Sequence, residues 1–220
     1  MSRVDNGRAS QTNKEPINGG AISANNLKLM VDSSYQPTDN KQKNINGYLI
    51  DNDNSGDYVS TYHNPQTKHA VIIHRGTKGV TDWLNNGAYA LGMYDSTERF
   101  NNGKKVQDAV YGKYGKENVS TVGHSQGSIL ARRLGKDSKE IININPAYLG
   151  EKPAYNEYDV KSSGDPVSVL KTPYSWLYNT LYPSTQGNIL TIPSAKPYNP
   201  LVEHKASILL RLPPNQMIGR

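Results

Sequence analysis

The chain of 220 residues contains no cysteine. Disulfides, a thiol nucleophile and thiolate metal sites are therefore excluded, although the compartment is not fixed by that absence. No run of about 18 consecutive apolar residues occurs, so no segment reads as a membrane-spanning helix. The N-terminus lacks the apolar stretch of a secretory signal, which makes a cytoplasmic or otherwise non-secreted location the default expectation. There is no internal repeat. Lys and Arg number 25 against 19 Asp and Glu, giving a net charge of +6. The basic residues are scattered, with no block of about five or more and no nucleic-acid-binding signature, so nucleic acid is not an expected partner. The positive charge fits peripheral contact with an anionic membrane surface, and it equally fits solubility alone.

Apolar content is also modest, at 35% with a mean hydropathy of −0.71. Such values are low for a compact enzyme and place part of the chain outside the core. Residues 1–27 are rich in Asn, Ser, Gly and charge and show no apolar periodicity, so a mobile polar arm or a loosely docked extension is expected there. Residues 28–220 are long enough for one domain with a sizeable core.

Within that domain, strand and helix patterns alternate. NGYLIDNDNSGDYVSTYHN predicts two strands around a polar turn, and KHAVIIHRGT a buried strand. Residues 96–114 predict a helix capped by Ser96 or Thr97 and ended near Gly115. VSTVGH predicts a strand and SQGSILARRLGK a short helix ending near Gly135. EIININP, YDVKSSGDP and NILTIP predict further strands, and HKASILLRL a last helical stretch. This order predicts an α/β class fold with a mainly parallel central sheet flanked by helices. Asp51, Asp53, Ser55, Gly56 and Asp57 imitate the start of a calcium-binding loop, but Tyr62 stands where a bidentate Glu is needed. A hairpin turn is the better reading.

Gly123-His124-Ser125-Gln126-Gly127 matches G-x-S-x-G between a predicted strand and a predicted helix, the setting that a nucleophile elbow requires. The tight turn pushes the Ser125 hydroxyl above the sheet, and the two glycines let strand and helix cross without a clash. The helix N-terminus brings partial positive charge and free N–H groups, making the Gln126 N–H one natural oxyanion donor. Serines also cap helices, which is the alternative for Ser125. His124 reads as a packing residue of the elbow.

VIIHRGT, then Asp82-Trp83, then GHSQGSILA together resemble the class 3, or fungal-type, lipases, an α/β-hydrolase family. The likeness spans roughly residues 46–210. It implies that Thr77, in the Arg-Gly-Thr turn, supplies the second half of the oxyanion hole. Asp82 and Trp83 then pin the loop that follows, and His74 is structural. Gln126 replaces the Leu common in the family, which leaves its backbone donor intact.

A serine hydroxyl needs a base, and the base needs an orienting carboxylate. In α/β-hydrolases the chain order is Ser, acid, His. Only His204 follows the elbow, whereas His63, His69 and His74 precede it, so His204 is the expected base. Asp165 is the expected acid: it lies just after a predicted strand, Pro166 turns the chain away, and the segment resembles the family's Asp-Pro-Val. Asp137 and Asp159 are competitors at less suitable ends of strands. The expected reaction is hydrolysis of a carboxylic ester of a lipid, phospholipids included, through an acyl-enzyme, with neither metal nor organic cofactor; the alternatives are a non-catalytic binding or structural module on the same fold, or a thioesterase or other serine esterase. Two apolar segments, 88–94 and 173–182, suit a lid, an acyl pocket or ordinary core.

Overall fold

The computed structural model describes residues 22–77, 98–147, 153–165, 188–195 and 199–219. Its centre is an eight-stranded sheet whose spatial order follows the chain: β2 (Asn44–Ile45), β3 (Tyr48–Ile50), β4 (Val59–His63), β5 (Ala70–His74), β6 (Val119–His124), β7 (Glu140–Ile144), β8 (Glu157–Ser162) and β9 (Asn188–Ile192). The first four pair antiparallel, and β5 through β9 pair parallel. A separate two-stranded ladder joins β1 (Ile22–Ser23) to β10 (Met217–Ile218).

The middle strands β5, β6 and β7 are buried along their whole length, as parallel strands covered on both faces must be. Alternate residues of β5 feed opposite cores. Val71 and Ile73 join Leu27, Met30 and Val31 of helix α1 (Ala24–Ser34) and Ile208 and Leu209 of the 3₁₀ turn Ala206–Arg211. Ala70 and Ile72 face the other way, toward Val110 of helix α2 (Glu98–Tyr114). Helix α3 (Gly127–Leu134) packs against β5, β6 and β7 and ends at Gly135. This is an α/β-hydrolase-type architecture, a mainly parallel sheet flanked by helices.

The expected elements are present with small changes of boundary. Helix α2 closes at Gly115, whose φ of 81° is one that glycine adopts without strain; its expected caps, Ser96 and Thr97, lie outside the described residues. The last helical stretch is a short helix α4 (Pro200–Glu203) followed by the 3₁₀ turn. The imitation calcium loop is a hairpin connection. The Asp51 carboxylate there accepts from Lys113 Nζ, Tyr114 Oη and Asn54 Nδ2, each at 2.9 Å.

One expectation needs correction. Residues 22–27 do not belong to a polar arm. Ile22, Ala24 and Leu27 are buried, and the Ser23 hydroxyl caps α1 by accepting from the Asn26 N–H at 3.2 Å. The Asn-rich start of α1 hides an apolar stripe at positions 27, 30 and 31 that packs on the sheet. Residues 1–21 are outside the described set.

In-register pairing brings the functional segments to one edge. His74 lies beside Gly123, and His124 beside Ile144. The chain therefore leaves β5, β6 and β8 at the carboxyl edge of the sheet, where open α/β sheets hold their ligands.

Candidate active site

Ser125 adopts a φ of 56°, in the left-handed region that residues other than glycine enter at a cost of about 1–3 kcal/mol. Its surroundings enforce this. The Ser125 N–H donates to the Ile144 carbonyl at 3.1 Å, and its carbonyl accepts from the Ser128 hydroxyl at 2.6 Å and the Ala147 N–H at 3.2 Å. The two glycines of the motif permit the crossing. A Cβ on Gly123 would come within 2.4 Å of Ser128 Cα, and one on Gly127 within 1.9 Å of the His74 carbonyl oxygen. Gln126 takes helical dihedrals at the start of α3, so its N–H belongs to the first turn, where no carbonyl of the helix can reach it.

His204 follows α4, and its buried imidazole spans two partners. Nε2 is 2.8 Å from Ser125 Oγ, and Nδ1 is 2.7 Å from Asp165 Oδ1. Asp165 is fully buried three residues past β8. With a carboxylate beside Nδ1, that nitrogen carries the proton and Nε2 is left to accept from the serine hydroxyl. Three residues from three separated segments thus form one hydrogen-bonded line. The competing carboxylates are committed elsewhere. Asp137 pairs with Lys116 at 2.6 Å on the surface, and Asp159 with the buried Arg132 at 3.1 Å.

The turn after β5 closes the other side. A Cβ on Gly76 would stand 2.8 Å from Ser125 Cβ, so only glycine allows the turn to lie against Ser125, and Thr77 follows directly. Asp82 and Trp83, Pro166 and the apolar segments 88–94 and 173–182 lie outside the described residues.

Sequence reasoning missed the side chains that hold His204. The Tyr35 hydroxyl accepts from the Gly76 N–H at 2.9 Å and lies 2.6 Å from His124 Nδ1. The His204 carbonyl that faces Nε2 can only accept, so Nε2 carries the ring proton and Nδ1 accepts from the Tyr35 O–H. His124 Nε2–H then donates to the His204 carbonyl at 3.0 Å. Burial pushes the Tyr35 phenol up to about 12, and burial followed by the nearby His204 pushes His124 down to about 3, so both stay neutral at pH 7. His124 is thus more than packing. Asn145, with a φ of 44°, donates to the Glu203 carbonyl at 2.8 Å and the Lys205 carbonyl at 3.4 Å. The carbonyls of 203, 204 and 205 are each held by a side chain from a strand end. The Glu203 carboxylate is bound by Arg211 through two 2.8 Å contacts and by the Ala195 N–H at 2.9 Å. These bonds, Arg211 foremost, hold its pKa down to about 2. Asn145 precedes a proline at a strand end, and its tolerance of positive φ was the one signal available in the sequence.

No family model matches the chain, and no curated protein does. Among solved structures it is similar to a carboxylesterase of Bacillus cereus, with 16% identity and a TM-score of 0.32, covering 46% of this chain and 52% of that one. The chain thus spans about half the length of that esterase. It is also similar to the lipase–propeptide complex of Rhizomucor miehei (13% identity, TM-score 0.39, 71% of this chain and 66% of that one). A predicted CIB-like hydrolase of Thermoplasma acidophilum gives 13% identity and a TM-score of 0.41, over 76% of this chain and 91% of that one. The architecture assigned above rests on the sheet order and the elbow, not on these likenesses. Among the described residues no helix is long and apolar enough to cross a membrane, and no group of three or more His, Asp or Glu gathers as a metal site.

Proposed function

We propose that the protein is a serine hydrolase that cleaves carboxylic esters of lipids through a Ser125–His204–Asp165 triad. The observation that carries this reading is the position of the His204 imidazole, within 2.8 Å of Ser125 Oγ on one side and 2.7 Å of Asp165 on the other.

His204 Nε2 takes the Ser125 proton as Oγ attacks the ester carbonyl. Asp165 holds the Nδ1 proton and offsets the imidazolium charge. The carbonyl oxygen becomes an oxyanion facing the N–H groups of Thr77 and Gln126, each such donor being worth about 10²–10³ in rate. Collapse breaks the ester C–O bond while His204 returns its proton to the leaving alcohol. A water, deprotonated by the same imidazole, then attacks the acyl-enzyme and releases the carboxylic acid and free Ser125. Every proton taken is returned, and the scheme uses only side chains and backbone N–H groups of the chain.

The lipid assignment draws on the resemblance of VIIHRGT and GHSQGSILA to class 3 lipases. It is supported by exposed apolar side chains at Val202 and Leu210, on either side of the base, and by the net charge of +6, which favours an anionic lipid surface. Initial rates on a phospholipid, a triacylglycerol, a thioester and a peptide amide, with Ser125→Ala as control, test the substrate class. Lipid oxyesters are expected to lead, with all turnover lost in Ser125→Ala. A leading rate on the peptide amide contradicts the lipid assignment.

A further inference from the structure

The backbone of the turn 75–77 is gripped at its polar atoms by three side chains. Arg99 donates through Nη2 to the Arg75 carbonyl. Tyr35 accepts from the Gly76 N–H at 2.9 Å. The Arg75 side chain turns back on its own backbone, and Nη1 donates to the Gly76 carbonyl at 2.8 Å. Its Nε donates to the Asp57 carbonyl. The guanidinium is seated with Cζ 4.6 Å from the Tyr58 ring centroid and 5.6 Å from that of Tyr35. Arg75 is 5% exposed, so its bonds are made largely out of competition with water.

A peptide unit is planar and trans, so its C=O and N–H point in opposite directions. Holding the Gly76 carbonyl therefore fixes the direction of the Thr77 N–H, the other end of the same peptide. The preceding peptide is held at both ends, its carbonyl by Arg99 and its N–H by Tyr35. Rotation of the turn about either peptide would break at least one of these bonds. A cation on the Gly76 carbonyl also draws electron density toward that oxygen, which strengthens the Thr77 N–H as a donor.

We propose that Arg75 and Tyr35 are positioning residues that aim and polarise the Thr77 N–H at the oxyanion. Arg75 acts through the Gly76–Thr77 peptide, and Tyr35 through the peptide before it. Because the Tyr35 hydroxyl also bonds His124, which holds the His204 carbonyl, the same oxygen keeps oxyanion turn and base in one register. The inference rests on the hydrolase reading above and adds the two side chains that make the Arg-Gly-Thr turn a directed donor.

The test uses the full chain with an activated ester, comparing wild type, Tyr35→Phe and Arg75→Lys. Each variant is expected to lose about 10- to 100-fold in kcat with KM changed by less than about twofold, because the donor acts only on the oxyanion. Inhibition by a boronic acid or a trifluoromethyl ketone, which form tetrahedral adducts on the serine, is expected to weaken by the same factor as kcat/KM. A purely structural role does not produce that proportionality. Tyr35→Phe removes one oxygen and decides the matter should Arg75→Lys not fold. Rates within twofold of wild type, or a loss of kcat with unchanged affinity for the tetrahedral mimic, overturns the proposal and leaves the hydrolase reading standing. A wild-type enzyme that neither turns over an ester nor reacts with a fluorophosphonate overturns both.

Discussion

At the scale of single residues, the site depends on what a few positions cannot be. Ser125 is held at a positive φ by bonds to its own backbone from β7, from Ser128 and from Ala147. Gly127 is the tightest point of the elbow, because the atom that an added Cβ would meet at 1.9 Å is a backbone oxygen of β5, which cannot swing aside. Gly127→Ala is therefore expected to destabilise the fold by about 1–3 kcal/mol or more, the range for overpacking. Urea unfolding followed by circular dichroism measures this. Wild-type stability for the variant would show that strand and helix can separate at the elbow. Ser125, His204 and Asp165 were legible in the sequence through a short pattern, a rule of chain order and the shortage of histidines downstream. Tyr35 and Asn145 were not. Each acts through a contact with a residue far along the chain, Tyr35 with His124 and Asn145 with Glu203. No periodicity or spacing encodes such a contact.

At the scale of elements, short apolar runs between polar flanks identified strands β3 to β9, and apolar residues at helical spacing or a closing glycine identified helices α2 and α3. Helix α1 was hidden. Its sequence, ANNLKLMVDSS, buries Asn26, Ser33 and Ser34 along with its apolar residues, so its inward face reads as polar. The hydroxyl of Ser33 accepts from Tyr62 at 2.7 Å and that of Ser34 donates to the Val31 carbonyl at 2.6 Å, which offsets the cost of burying them. The placement of α1 matters for function, since its C-terminal cap residue is Tyr35. The helix whose first residues were expected to lie in the polar arm is the one that delivers a hydroxyl to the Gly76 N–H. The segment that carries His204 is short, and side chains hold it in place: Asn145 and His124 grip its carbonyls, and Arg211 closes on Glu203.

At the scale of the whole molecule, buried ionisable groups set how stability varies with pH. His69 and His74 are lowered to about 4 and His124 to about 3, burial being the largest cause in each. A histidine lowered in the folded state stabilises fully above its unfolded pKa near 6.5 and loses that contribution as pH falls through the folded value. Glu157 runs the other way. Burial, with Asp159 beside it, raises its pKa to about 7 against the pull of Arg132. Its contribution is present below an unfolded pKa of about 4.5 and is lost as pH rises through about 7. Three histidines outweigh one carboxyl, so between pH 4.5 and 6.5 the unfolded chain binds about two more protons than the folded one. The melting temperature is expected to fall steadily as pH drops across that window, with His69→Gln reducing the slope. A melting temperature flat from pH 7 to 4.5 would contradict the burial of these imidazoles in the neutral form.

The central claim is that Ser125 is a nucleophile activated by His204. The most direct measurement is the intact mass of the protein, with peptide mapping, after brief exposure to a fluorophosphonate at pH 7.5. One adduct on Ser125 is expected for the wild type. Its rate of formation should fall by at least about 10³-fold in His204→Ala, with the folded state retained. An adduct on another residue, no adduct, or labelling of His204→Ala at the wild-type rate would contradict the claim.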